Sequence, residues 1–189
     1  MNKFRASYSV LSTWARGDWT NAIKMYFKMD TFENEAMRQG KIYHKMWENE
    51  VKETGCMPKI FGGKKLNNPR TEEKLVVSVN DWLDLVGVID LLDSPEIHDY
   101  KTGKSSPDID IQVGIYGVLA TYKKIYVDVA YIHHYDQYAK KVEVHKVYLT
   151  DKKLEESMNY ILTVAGEMYD YFNKNNLFEK FNHFLETTG

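Results

Sequence analysis

Between Ser9 and Met29 the chain reads SVLSTWARGDWTNAIKMYFKM, with apolar side chains recurring at helical spacing on either side of Gly17-Asp18. The pattern predicts one broken helix or two short ones. Thr31 offers an N-cap for a second helix, which should run through FENEAMRQGKIYHKMWENEVKE and stop at Gly55. From Gly55 to Arg70 the chain is rich in Gly, Asn, Pro and Lys, which predicts a loop or flap. KLVVSVN, WLDLVGVIDLLD and EIHDYK then read as three strands of an antiparallel unit, separated by turn signals at Asn80-Asp81 and Ser94-Pro95. Ser106-Pro107 should open a largely buried helix, DIDIQVGIYGVLATYKK. Two further strands follow, IYVDVAYIHHYD and KKVEVHKVYLT. Thr150-Asp151 starts a last long helix with a short amphipathic tail after it. This order predicts an α/β domain whose sheet is covered on both faces.

The 189 residues, 43% of them hydrophobic, suffice for one well-packed domain. It should comprise N-terminal helices over 8–54, a loop over 55–70, a sheet with its helix over 74–149 and C-terminal helices over 150–186. No apolar run approaches bilayer length and MNKFRASYSV lacks a signal-peptide core, so a soluble, cytoplasmic protein with no membrane partner is expected. The single Cys56 rules out an internal disulfide and an all-cysteine iron-sulfur cluster. A net charge of -2 is not that of a generally sticky nucleic-acid binder. KIFGGKKLNNPR and the pairs Lys123-Lys124, Lys140-Lys141 and Lys152-Lys153 could still make a basic rim, or be ordinary solvated lysines.

The stretch HDYKTGKSS, His98 to Ser106, carries two incompatible chemical signals. Gly103-Lys104-Ser105 looks like the end of a phosphate-binding loop, but that pattern needs glycine where His98 stands. Read from its start, Asp99 and Lys101 project from the same face of a strand while Tyr100 points away. A hairpin at Ser94-Pro95 would fold Asp90, at the end of GVID, back beside Asp99. Two neighbouring carboxylates repel unless a cation neutralises them, and a hard oxygen-preferring ion such as Mg²⁺ or Mn²⁺ does so. Alone, such a pair is more often an exposed strand end with a lysine counter-ion. Two helical pairs keep it company. His44 lies one turn after Gly40, whose place in a helix interior costs about 1 kcal/mol relative to alanine. Gln112 and Tyr116 share one face of the next helix.

Gly40-x-x-x-His44, GVID, Asp99-Tyr100-Lys101-Thr102-Gly103 and Gln112-x-x-x-Tyr116, in this order, resemble the motifs of the PD-(D/E)XK nuclease superfamily and its RecB-like group. The likeness runs from about Ser7 to Leu149. It implies a restriction-endonuclease-like core, a central mixed β-sheet flanked by helices on both faces. It implies His44, Asp90 and Asp99 as metal ligands with the backbone carbonyl of Tyr100, and Lys101 as catalytic lysine beside Asp90 and Asp99. Gln112 and Tyr116 would lie beside the active site and the DNA strand; apart from the likeness, Lys104 and the basic residues of the 59–70 loop could hold the DNA backbone. The family's further acidic residue is Glu72 or Glu73. Many relatives hold an iron-sulfur cluster on cysteines that this chain lacks, so no cluster is expected. The activity implied is that of a Mg²⁺- or Mn²⁺-dependent DNA exonuclease in replication, recombination or repair. Its substrate would be single-stranded DNA or duplex ends, with a homo-oligomer or a replication or recombination protein as possible partner. The alternative is an inactive nuclease fold kept as a DNA-binding or assembly subunit. Phe61, Trp82 or Tyr116 could stack on bases, and the Lys, Asn and Tyr content suits a low-GC bacterium or its phage.

Overall fold

A computed structural model describes residues 3–29, 34–102 and 108–188. The first apolar segment is two helices, α1 (Tyr8–Ala15) and α2 (Trp19–Tyr26), and Asp18 caps the second by accepting from the Asn21 N–H. Helix α3 (Glu35–Thr54) begins at Asn34, whose side chain accepts from the Met37 N–H at 2.9 Å. Thr31, expected as its cap, lies outside the described residues. The 55–70 segment holds a single 3-10 turn at Lys59–Phe61 and one bridge, Cys56 to Lys65.

Among the described residues six strands make one mixed sheet: β1 (Phe4–Ser7), β2 (Arg70–Ser78), β3 (Leu83–Asp93), β4 (Glu96–Thr102), β5 (Val129–Asp136) and β6 (Lys141–Tyr148). Strand β2 starts four residues before its hydrophobic run, because Arg70 to Glu73 pair with the far end of β3. The sequence reading did not foresee β1. It runs parallel to β3 at residues 83–86, while β4 pairs antiparallel with residues 91–93. Since β2 occupies the other edge of β3 along its length, β1 and β4 share one edge and leave a break between them. Strand β4 then runs parallel to β5, and β6 closes the sheet.

Helices α4 (Ile109–Tyr122) and α5 (Asp151–Lys174) cover one face together with α1, and α6 (Leu177–Thr188) packs on α5. Thr150 caps α5 as expected, whereas Ser106-Pro107, expected to open α4, lie outside the described residues. The main core lies under these helices. Gly87 lets α4 approach: a Cβ there would stand 2.5 Å from Leu119 Cδ1 and 3.3 Å from Tyr116 Cε1. Gly87→Ala is therefore expected to destabilise the protein by about 1–3 kcal/mol, as overpacking does. Urea denaturation would show it as a lower midpoint.

Helix α3 covers the opposite face with a smaller core built on Trp47, Val51, Met57 and Tyr100. Phe61 packs into it against Tyr100, Trp82 stacks on Tyr169, and Tyr116 is buried. Tyr116 thus lies within the main core, while Phe61 and Trp82 are half-buried and packed against their neighbours. His98, where a phosphate loop would need glycine, is buried in β4 with its Nδ1 3.0 Å from His133 Nε2. His134, the next residue of β5, lies on the other face of the strand.

Burial pulls His98 down to about 4 and His133 to about 3, the latter lowered further by the neighbouring His98. Both are neutral when folded, while in the unfolded chain they take up protons below about pH 6.5. Stability should thus be fully present above that value and fall as the pH drops toward 4, by up to ~1.4 kcal/mol per pH unit for each histidine. Denaturation at pH 7, 6 and 5 checks this. A flat profile would contradict it.

Candidate active site

Alternation along β3 turns Leu85, Gly87 and Ile89 into the main core and leaves Val86, Val88 and Asp90 on the α3 side. On β2 the same rule sends Leu75 and Val77 inward and Glu72 and Lys74 outward. Glu72 lies across from Asp90, between the pairs Thr71–Leu91 and Glu73–Ile89. Its φ of 50° is uncommon for a residue with a side chain, and such outliers collect at functional sites.

Helix α3 brings His44 over this pair. Gly40, one turn before it, lies so close to β4 that a Cβ would stand 2.9 Å from Thr102 Oγ1. His44 Nδ1 is 3.6 Å from Asp90 Oδ1, and donor atoms of His44, Glu72 and Asp90 all lie within 4.8 Å of one another. Beyond His98, β4 parts from β3, and the Tyr100 N–H donates to Asp90 Oδ2 at 2.7 Å.

Lys101 follows on β4 with its Nζ 2.7 Å from Asp99 Oδ2, as two residues on one strand face require. Asp99 is fully buried. Gln112 Nε2 donates to Asp99 Oδ1 at 3.2 Å and to the Tyr116 hydroxyl at 2.7 Å. The expected ligands thus divide. His44 and Asp90 sit in one group with Glu72, whereas Asp99 faces Lys101 and Gln112, and Tyr100 meets Asp90 through its N–H. Glu73 instead bonds Arg70 Nη1 at 2.9 Å. Lys104 lies outside the described residues.

The electrostatics are those of crowded carboxylates. Glu72 is raised above its ordinary value by burial and by the charges of Asp90 and Glu48. Burial pushes Asp99 up against the opposing pull of Lys101. His44 is drawn down by burial, but the hydrogen bond and charge of Asp90 overcome this and raise it. Burial likewise lowers Lys101, yet Asp99 and Asp90 raise it above its ordinary value, so it is a cation at neutral pH. Burial raises Tyr116 well above its ordinary value, so its hydroxyl keeps its proton.

His44, Glu72, Asp90 and Lys101 open into a cavity of about 990 Å³, with Lys41 and Lys45 on its rim. Lys101 and Gln112 also line a smaller hollow of about 300 Å³ beside Ser12, Thr13 and Arg16. The cations of the 59–70 loop do not line either: Lys64 pairs with Glu96, and Lys65 reaches the Thr54 carbonyl. Sequence reading did not foresee Lys41 and Lys45, although both flank His44 within one turn of α3.

No helix among the described residues is long and apolar enough to cross a membrane. No curated protein matches the chain by sequence. Its fold is similar to that of the alkaline exonuclease LHK-Exo from Laribacter hongkongensis, with a TM-score of 0.58 at 11% identity over 92% of this chain and 93% of that one. The same enzyme in complex with dAMP gives 0.55 at 12% identity, over 92% and 94%. SSO0001 gives 0.54 at 12% identity, over 86% and 78%. The model of the PD-(D/E)XK nuclease superfamily matches residues 4–179, which is nearly the whole chain. Sequence and fold thus agree, and the chain belongs to the PD-(D/E)XK nuclease superfamily.

Proposed function

We propose that this protein is a divalent-metal-dependent DNA exonuclease of the RecB-like group, acting in the cytoplasm in DNA replication, recombination or repair. The observation that carries the reading is the grouping of His44, Glu72 and Asp90 within 4.8 Å, in an open cavity that Lys101 also lines. Two carboxylates and an imidazole are a donor set that suits Mg²⁺ or Mn²⁺. A metal ion held there supplies positive charge to the scissile phosphate and lowers the pKa of water.

The chain's own groups do the rest. Lys101, kept protonated by Asp99, either orients the attacking water or neutralises charge building on the phosphate. Asp99, a ligand in the family pattern, would aim Lys101 and face the ion as well, with the Tyr100 carbonyl beside it. Gln112 and Tyr116 hold Asp99 in place from α4. Lys41 and Lys45 line the same cavity, Lys45 also pairing with Glu48 at 2.7 Å, and turn positive charge toward the DNA backbone. The exonuclease activity and dAMP complex named for the fold relative support DNA as substrate and attack from an end.

The test is incubation of end-labelled linear DNA and covalently closed circular DNA with Mg²⁺ or Mn²⁺. Release of nucleotides from the linear substrate with the circle left intact is expected. Nicking of the circle would overturn the exonuclease mode, and intact linear DNA would overturn the nuclease reading.

A further inference from the structure

The outward face of the β2–β3 pair continues past the carboxylates. Along β3 the outward side chains run Asp90, Val88, Val86, Asp84, and along β2 they run Glu72, Lys74, Val76. Register sets Lys74 opposite Val88, Val76 opposite Val86 and Ser78 opposite Asp84. Glu72 and Val88 line the active-site cavity, whereas Lys74 and Val86, one outward position further on, line a second hollow of about 670 Å³. The two are successive stretches of one strand face. In the second, Lys3, Arg5, Lys28 and Lys74 stand with Asp84, the one carboxylate among its described lining residues, over a floor that includes Val76 and Val86.

The charges there are only partly spent within the fold. Arg5 lies 3.8 Å from Asp84, which also accepts from the Ser78 hydroxyl. Lys3 Nζ donates to the Asn80 carbonyl. Lys28 and Lys74 are exposed and make no ion pair among the described residues. In a chain with a net charge of -2, four cations to one carboxylate among the described lining residues are a local excess placed beside the proposed cutting site.

We propose that this groove holds the single strand of nucleic acid that extends from the scissile phosphate, its backbone lying over Lys3, Arg5, Lys28 and Lys74. The proposal rests on the nuclease reading for the position of that phosphate. Six residues from Asp90 to Asp84 span about 20 Å at ~3.3 Å each, so a strand leaving the metal group must run several nucleotides to lie along the groove. A basic hollow with an apolar floor suits an unpaired strand, whose sugars and bases need cover while its phosphates need charge.

The test compares wild type with Lys28→Gln/Lys74→Gln, both side chains being exposed and unpaired, after equal thermal midpoints show both folded. Binding of a fluorescent single-stranded dodecamer is followed by anisotropy in EDTA across a salt series, so that the readout does not depend on cleavage. The variant is expected to bind at least tenfold more weakly, and the slope of log K against log salt should shrink by about 1.4, the ~0.7 per phosphate contact found for single strands. Its loss relative to wild type should be larger for the dodecamer than for a trinucleotide. Unchanged affinity and slope, equal losses at both lengths, or no binding by wild type would overturn the groove. Binding that behaves as expected in a protein that cuts nothing would leave the groove standing and sink the nuclease reading.

Discussion

Replacing Lys101 with methionine is expected to slow DNA cleavage by about 10²- to 10³-fold, the usual cost of removing one group aimed at developing charge. Lys101 lies 2.7 Å from Asp99 and lines the cavity that holds His44, Glu72 and Asp90. It stays a cation despite its burial because Asp99 and Asp90 raise it. Methionine keeps most of the apolar stem, so the packing around the strand survives. The buried Asp99 then loses its counter-charge, and since burial already pushes it up, it takes on a proton instead of remaining an unpaired charge. Gln112 still donates to it. The expected result is a large fall in kcat with only a modest fall in thermal midpoint. Cleavage within twofold of wild type would remove Lys101 from the mechanism.

Glu72→Gln and Glu73→Gln should behave oppositely although the residues are neighbours. Glu72 shares a group with His44 and Asp90, while Glu73 faces the other way and bonds Arg70. Removing the Glu72 charge should weaken Mn²⁺ binding at least tenfold and reduce cleavage with it. Glu73→Gln should leave both close to wild type. The stability effect runs the other way. Glu72 is raised on folding, so its charged form is disfavoured in the native state and destabilises it above the ordinary carboxylate range. Without metal, Glu72→Gln is expected to raise the thermal midpoint slightly. Calorimetric titration of Mn²⁺ into both variants, with a melt of each, checks the pair. Equal Mn²⁺ affinity in the two would place Glu72 outside the metal site.

The sheet was legible where the chain repeats with period two. β2 and β3 announce themselves through Leu75, Val77, Leu85 and Ile89, all buried on the main-core face. The same alternation carries a signal that the sequence reading left unused. Counted back from Leu75 and Val77, which face the core, it puts Glu73 inward and Glu72 outward, which separates the two candidates. Strand β1 gave no such signal, because Phe4–Ser7 is four residues long and its partner stands 79 residues away, at Leu83. Only the tertiary fold pairs them.

His44 and Asp90 were legible because each sits in a motif with its own local geometry. The placement of Phe61 and Trp82 was not: an aromatic in or beside a loop reads as a platform or as core until its neighbours are known, and here those neighbours are Tyr100 and Tyr169. The four cations of the second groove come from three separate stretches of chain. No run of sequence contains them, so no charge pattern along the chain could have brought them together.

The proposed function requires that Asp90, with Glu72 and His44, make a metal-dependent centre that cuts DNA. Its most direct test sets purified wild type beside Asp90→Asn on one end-labelled oligonucleotide, with Mn²⁺ and then with EDTA. Products are expected from wild type with Mn²⁺ and from no other combination, with both proteins folded. Cleavage that persists in EDTA or in Asp90→Asn, or no cleavage by wild type with Mn²⁺, would rule this centre out.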